Sequence, residues 1–142
     1  MTLRIIDISS FQAGLNPAAV DADGVVVKST QGNYYTNPTW RLQADQTLAA
    51  GKVLGLYHFV DTNAGLKQEV DYFVNQVHDY IGKAVLVLDW EHNSDTGTDE
   101  NNTAYAKAWL DGVEAQTGVK PLIYMSKGTT RAADRYRDWE TK

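Results

Sequence analysis

The sequence predicts an α/β fold built on parallel strands, and three observations predict it. Five short apolar runs, each Leu-rich or β-branched, recur between turn residues: "LRIIDI" (3–8), "GVVVKS" (24–29), "KVLGLYHF" (52–59), "KAVLVLDW" (83–90) and "KPLIYM" (120–125). Helix-like stretches separate several of them. Most of the runs are continuous rather than alternating, which is the pattern of strands covered on both faces. Repeated strand–helix–strand alternation then argues for a parallel sheet.

In order along the chain, the first run opens at Leu3 and ends near Asp7, and the residues after Ser9 are expected to hold only a turn. The second run begins at Gly24. A helix is predicted over 37–51, where Asn37-Pro38 supplies a cap and first-turn signal and Gly51 a stop. Trp40, Ala44 and Leu48 share one of its faces. The third run begins at Lys52. The next helix, 66–82, places Val70, Phe73, Val74, Val77 and Ile81 at helical spacing and stops at Gly82. The fourth run begins at Lys83. The acid-rich "NSDTGTDENN" (93–102) reads as a solvated loop that caps a helix over 103–118, with Tyr105, Ala106, Trp109, Leu110 and Val113 on one face. The fifth run begins at Lys120. Five β units fit a small open sheet, or the first five strands of a barrel that takes roughly 200 or more residues to close.

Composition bounds the function. The 142 residues suit one domain, with 43% hydrophobic and 22% charged residues. A net charge of −5 disfavours a nucleic-acid partner held through phosphates. The absence of cysteine excludes disulfides, thiolate zinc sites and a cysteine nucleophile. No apolar run reaches the roughly 18–20 residues that span a bilayer, and the N-terminus has no secretory pattern, so no membrane role is expected.

The candidate chemistry lies in "LVLDWEHN" (86–93). Residues two apart in a strand point the same way, so Asp89 and Glu91 share a face and Trp90 turns from it. They stand at the C-terminal end of a strand, where parallel α/β folds build their active sites. Asp7 ends the first strand, so three acids converge on one rim if the strands are neighbours. Like charges held close raise at least one pKa. One carboxyl then serves as a general acid and an ionised neighbour stabilises positive charge, the division of labour that glycosidic cleavage requires. Such acids could also hold Mg²⁺ or Ca²⁺. The 93–102 loop, however, lacks the regular spacing and final Glu of a calcium loop. No metal or cofactor is expected.

These pieces, taken together, resemble family 25 of the glycoside hydrolases, the lysozyme-type muramidases of bacteria and their phages. "DISSFQ" (7–12), "VVVKSTQGNYYTNP" (25–38), "AAGKVLGLYHF" (49–59), "LVLDWE" (86–91) and "TGVKPLIYMS" (117–126) are similar to successive family motifs, in order. The resemblance implies an irregular TIM-like (β/α) barrel of which only the first five β units are present. It implies cleavage of the β-1,4 bond between N-acetylmuramic acid and N-acetylglucosamine in peptidoglycan. It implies Glu91 as general acid, with Asp89 and Asp7 shaping the charge around it, and glycan contacts from Tyr57, Tyr124 and Lys28. His58, opposite Tyr57, is read as structural. Trp40, Trp90 and Trp109 are read as packing.

Gln31 departs from the family pattern, which commonly has Glu there, and Met125 stands for a usual Thr. The family also carries further strands and a further acid beyond "PLIYMS". Residues 1–133 are therefore expected to be the N-terminal part of one catalytic domain. Residues 134–142, whose "DRYRDWETK" resembles sequencing-adapter read-through, are expected to be a non-native tail, and this chain by itself is expected to be inactive. The protein is expected to be a monomer acting on the cell wall, released as phage lysins are or exported without a signal peptide. The alternatives are an inactive carbohydrate-binding or phage structural module and a chitinase-like glycosidase. The chitinase pattern of four acids fails at Ala84 and Val87.

Overall fold

The computed structural model describes residues 2–99 and 101–125. Within these residues there are six strands and three α-helices: β1 (Ile5–Ile8), β2 (Gly24–Gln31), β3 (Tyr35–Thr36), α1 (Trp40–Ala49), β4 (Val53–Phe59), α2 (Leu66–Val77), β5 (Val85–Trp90), α3 (Thr103–Thr117) and β6 (Leu122–Met125). The five expected runs all form strands. They lie in one sheet in the order β1-β2-β4-β5-β6, each pair parallel. Each new strand is added on the same side of the last, so the sheet has no point at which its winding reverses, which is the winding of a (β/α) barrel.

The sheet also curls. Asp7 of β1 and Tyr124 of β6, from opposite edges, line one hollow of about 330 Å³. Flat, the outer strands of five would stand about 19 Å apart. The protein is thus a mixed α/β half-barrel, and its curl is what brings residues from distant strands together.

The two faces of the sheet differ. Val25, Val27, Leu54, Leu56, Leu86, Leu88 and Trp90 point to the helix-covered face, where they pack with Trp40, Phe73, Val77 and Trp109 in one core. Each such side chain contributes about 1.5–3 kcal/mol on burial. Trp40, Trp90 and Trp109 are packing residues, as expected. Among the described residues nothing seals the opposite face, and there Ile5, Val85 and Leu122 are exposed. This corrects the expectation of strands covered on both faces. The open face is itself partly apolar, so the runs read as continuous although only one side is sealed.

Other boundaries shift for identifiable reasons. The helix expected from Asn37 begins at Trp40. Asn37 is instead fully buried, donating to Lys28 O and Gln43 Oε1 and accepting from the Thr39 backbone N–H. Those bonds fasten the turn before the helix. A two-residue strand that was not expected, β3, pairs antiparallel with the end of β2. The helix expected to reach Gly82 stops at Val77 and gives way to a 3₁₀ turn at His78–Tyr80. The segment after Ser9 holds two 3₁₀ turns, Ser10–Gln12 and Pro17–Ala19.

The acid-rich loop is more than a solvated connection. Asn102 does cap α3 through the Tyr105 N–H. Thr96 and Thr98, however, are buried, and the loop accepts a hydrogen bond from Thr62 N at Thr96 O, 3.0 Å. Gly118, at φ 73°, ends α3 in the left-handed conformation that glycine adopts without strain. The expectation for residues 134–142 lies outside the described residues.

Candidate active site

The hollow on the open face gathers the acids. Asp7 comes from β1, Asp89 from β5 and Glu91 from the first residue past β5, with Tyr57 of β4 and Tyr124 of β6 beside them. Ile5, Val26 and Val87 form its apolar floor. Parallel pairing carries every C-terminal strand end to this rim. The alternation of β5 does the rest, turning Asp89 and Glu91 into the hollow and Trp90 into the core, where its ring stacks on Tyr105 at 6.1 Å.

Within this cluster the raised pKa falls on Asp89, pushed up to about 8. Burial of the carboxyl is the first cause, the Glu91 charge the second, and a hydrogen bond with the Glu91 carboxyl the third. Asp7 adds a smaller push, and the Lys28 ammonium pulls the other way. Ionising two carboxyls held this close is costly, so Asp89 keeps its proton to higher pH than a separate carboxyl would. Asp89 Oδ1 is buried without a hydrogen-bond partner among the described residues. Burial, then the charges of Asp89, Asp7 and Glu91, also pushes the Tyr57 phenol up, so it remains a hydroxyl.

Lys28 stands at the edge of this hollow and not among the residues that line it. Its Nζ donates to Gln31 Oε1 at 2.7 Å and lies 5.2 Å from the Tyr35 ring centroid and 5.1 Å from that of Phe59. Burial lowers its pKa, against the pull of Asp89. It lines a second hollow of about 320 Å³, walled by Ser9, Phe11, Gln31, Tyr34 and Tyr35. Of the expected site residues, the structure brings Asp7, Asp89, Glu91, Tyr57 and Tyr124 into one hollow and sets Lys28 between that hollow and the next.

His58 lies on the other face, fully buried, as expected of a structural residue. Its Nε2 meets Glu69 Oε1 at 2.9 Å and its Nδ1 meets Thr30 Oγ1 at 2.7 Å, and the ring stacks on Trp109 at 5.4 Å. Burial lowers the imidazole pKa, against the pull of Glu69. The neutral Nε2–H tautomer satisfies both partners. Sequence reasoning missed Glu69, Phe11, Tyr34 and Tyr35. Glu69 reads as an ordinary first-turn acid of α2, and nothing in the sequence ties it to a strand eleven residues earlier. Among the described residues, no group of three or more His, Cys, Asp or Glu is placed to hold a metal ion.

Comparison with known proteins bears on the family and the fold. The N,O-diacetylmuramidase of Chalaropsis sp is 31% identical over 139 residues, covering 87% of this chain and 65% of that protein. The Escherichia coli K12 protein YegX is 25% identical, covering 87% of this chain and 48% of its own length. The chain therefore spans between about half and two-thirds of these relatives. The catalytic domain of endolysin ply40 from bacteriophage P40 of Listeria monocytogenes superposes with a TM-score of 0.80 at 24% identity, covering 96% of this chain and 69% of that one. A bacterial lysozyme from Streptomyces coelicolor superposes with a TM-score of 0.77 at 21% identity, covering 94% and 68%. These two show the shared fold. The model of the glycosyl hydrolases family 25 matches residues 6–139, nearly the whole chain and every strand that carries an acid of the hollow, and the chain belongs to that family.

Proposed function

We propose that the protein is a lysozyme-type muramidase that hydrolyses the β-1,4 bond between N-acetylmuramic acid and N-acetylglucosamine in peptidoglycan, with the bacterial cell wall as its site of action. The observation that carries this reading is the gathering of Asp7, Asp89 and Glu91 beside Tyr57 and Tyr124 in one open hollow. Cleaving an acetal needs a proton for the departing oxygen and negative charge for the cation-like sugar left behind. The Asp89 pKa, pushed up to about 8, keeps a proton on that carboxyl at neutral pH.

In this reading Glu91, the outer member, is the general acid. The one proton of the pair, held at Asp89, is relayed to Glu91 and from Glu91 to the glycosidic oxygen as the bond to the anomeric carbon breaks. Asp89, now ionised, stabilises with Asp7 the positive charge on the sugar. Water adds to the anomeric carbon and returns a proton to the pair. Tyr57 and Tyr124 offer hydroxyls and ring faces to the glycan from either side of the acids, and Lys28 a cation at the edge. Glu91→Gln keeps the shape and removes the transferable proton. It should lower the release of reducing ends from purified peptidoglycan by about 10²–10⁴-fold. Retention of most of the activity would show that another group is the acid.

A further inference from the structure

Of the three acids in the hollow, two are held by the strand ladder and one is not. Asp7 lies within β1 and Asp89 within β5, whereas Glu91 is the first residue past β5. The ladder ends just before it, where Val60 N donates to Asp89 O and Trp90 pairs with Met125 of β6. Trp90 is anchored in the core. Where the Glu91 carboxyl stands therefore depends on where the chain goes next.

It goes into a clasp. Asn93 and Thr98 exchange both backbone hydrogen bonds at 3.0 Å, which closes residues 93–98 into a tight loop. That loop is tied to the segment that follows β4. Thr62 donates from its backbone N–H to Thr96 O at 3.0 Å and from Oγ1 to Gly97 O at 2.8 Å. Thr98 Oγ1 donates to Val60 O at 3.4 Å and lies 3.1 Å from Thr96 Oγ1, and both threonines are buried. The two segments press together at Gly97, where a Cβ would lie 2.8 Å from Asn63 Oδ1. The post that the loop is tied to is itself fastened, since the Asp61 backbone N–H donates to the buried Glu69 carboxylate at 2.7 Å. Glu91 and His92 thus form a short span between Trp90, fixed in the core, and Asn93, fixed in the clasp.

We propose that the clasp between Val60–Thr62 and Asn93–Thr98 is a positioning device for the general acid, in which the buried Thr98 hydroxyl sets the Glu91 carboxyl against Asp89. Thr98 has the shape of a valine, so filling its pocket does not require the hydroxyl. What the hydroxyl adds is direction, because a hydrogen bond to Val60 O fixes where the loop returns against the end of β4. Placement is what an acid of this kind needs. A displacement of about 1 Å at a reacting group can lower a rate by about 100-fold.

This inference rests on the reading of Glu91 as the acid, and its test separates the two. Thr98→Val removes the hydroxyl and keeps the shape. Thr62→Val cuts the clasp from its other side, at a half-buried position. Thr47→Val is the control, removing a buried hydroxyl of α1 that donates to Gln43 O on the helix-covered face. Each variant is measured for melting temperature, for kcat and KM on purified peptidoglycan, and for titration of the Asp89 carboxyl by carbon-13 NMR. The other groups facing Asp89, which are Asp7, Lys28 and Tyr57, are the same in every variant. Both clasp variants should lower kcat about tenfold with KM within about twofold. Their Asp89 midpoint, about 8 in the parent, should fall as the Glu91 carboxyl moves away. Thr98→Ser, which keeps the hydroxyl, should match the parent in both readouts, and Thr47→Val should lose stability alone. If Glu91→Gln abolishes turnover while both clasp variants keep the parent's kcat and Asp89 titration, the clasp falls and the muramidase reading stands. A loss of kcat that Thr47→Val reproduces also overturns the clasp, as a general effect of stability. If the parent releases no reducing ends, the titration decides, and an Asp89 midpoint that moves in neither clasp variant overturns it. If Glu91→Gln keeps the parent's activity, the acid and the clasp fall together.

Discussion

The two faces of the curled sheet solve opposite problems with similar residues. On the helix-covered face a carboxylate, Glu69, is fully buried and fully satisfied. It accepts from His58 Nε2 at 2.9 Å, from the Asp61 backbone N–H at 2.7 Å, and from the Tyr105 hydroxyl. On the open face Asp89 is partly buried and left short of donors, with Oδ1 unpartnered and its pKa driven up to about 8. Burial alone therefore does not mark a functional acid. What distinguishes Asp89 is burial with few donors beside another acid, a combination that favours the protonated form.

The comparison predicts that the helix-covered face responds to substitution with loss of the fold. Glu69→Ala removes one acceptor and strands three donors in the core. The expected cost is at least about 3 kcal/mol, because each orphaned buried group forfeits its hydrogen bond without regaining water. Chemical denaturation would measure it. A cost under about 1 kcal/mol would mean that the cluster is not the satisfied, structural counterpart of the acid hollow.

The open face should respond in the reverse sense. Below the ordinary carboxylate range Asp89 is protonated in the folded and unfolded chains alike. Between about pH 4 and pH 8 the folded protein keeps the proton and the unfolded chain releases it. The raised pKa thus contributes stability at low pH that is lost as pH rises through 8. Asparagine carries no proton to lose. Asp89→Asn should therefore match the parent near pH 4 and exceed it by about 1–2 kcal/mol at pH 8, while hydrolysis falls sharply. Thermal melts at the two pH values, set beside reducing-end release, would check both halves. A variant with equal deficits in stability at both pH values would place Asp89 with Glu69 as a structural acid.

Much of this contrast was legible in the sequence, and the illegible part has a common cause. "LVLDWE" shows its two carboxylates and the inward Trp90 because strand alternation is local. Asp7 could be joined to them because parallel winding carries every strand end to one rim. Glu69 could not be joined to His58, since the pairing depends on how α2 lies across β4. The open face was hidden for a different reason. Ile5, Val85 and Leu122 are apolar yet exposed, so hydropathy alone shows no difference between the side that helices seal and the side that holds the site.

Tyr57 offers the finest division between the faces. It alternates with the fully buried Leu56 and His58, and from the sequence it could belong to either side. The structure turns it into the acid hollow, half-buried, and its hydroxyl makes no hydrogen bond within the described residues. Burial and three neighbouring acids keep it protonated, so it is a standing donor with no partner of its own. Tyr57→Phe should change stability by less than about 0.5 kcal/mol, because nothing in the protein relies on the hydroxyl. It should lower kcat/KM on peptidoglycan about tenfold, the worth of one hydrogen bond of about 1.4 kcal/mol to substrate. The pH profile should keep its shape, since the phenol does not titrate in the working range. A loss of stability with unchanged kcat/KM would assign Tyr57 to the scaffold and narrow the glycan-facing surface to the acids and their immediate rim.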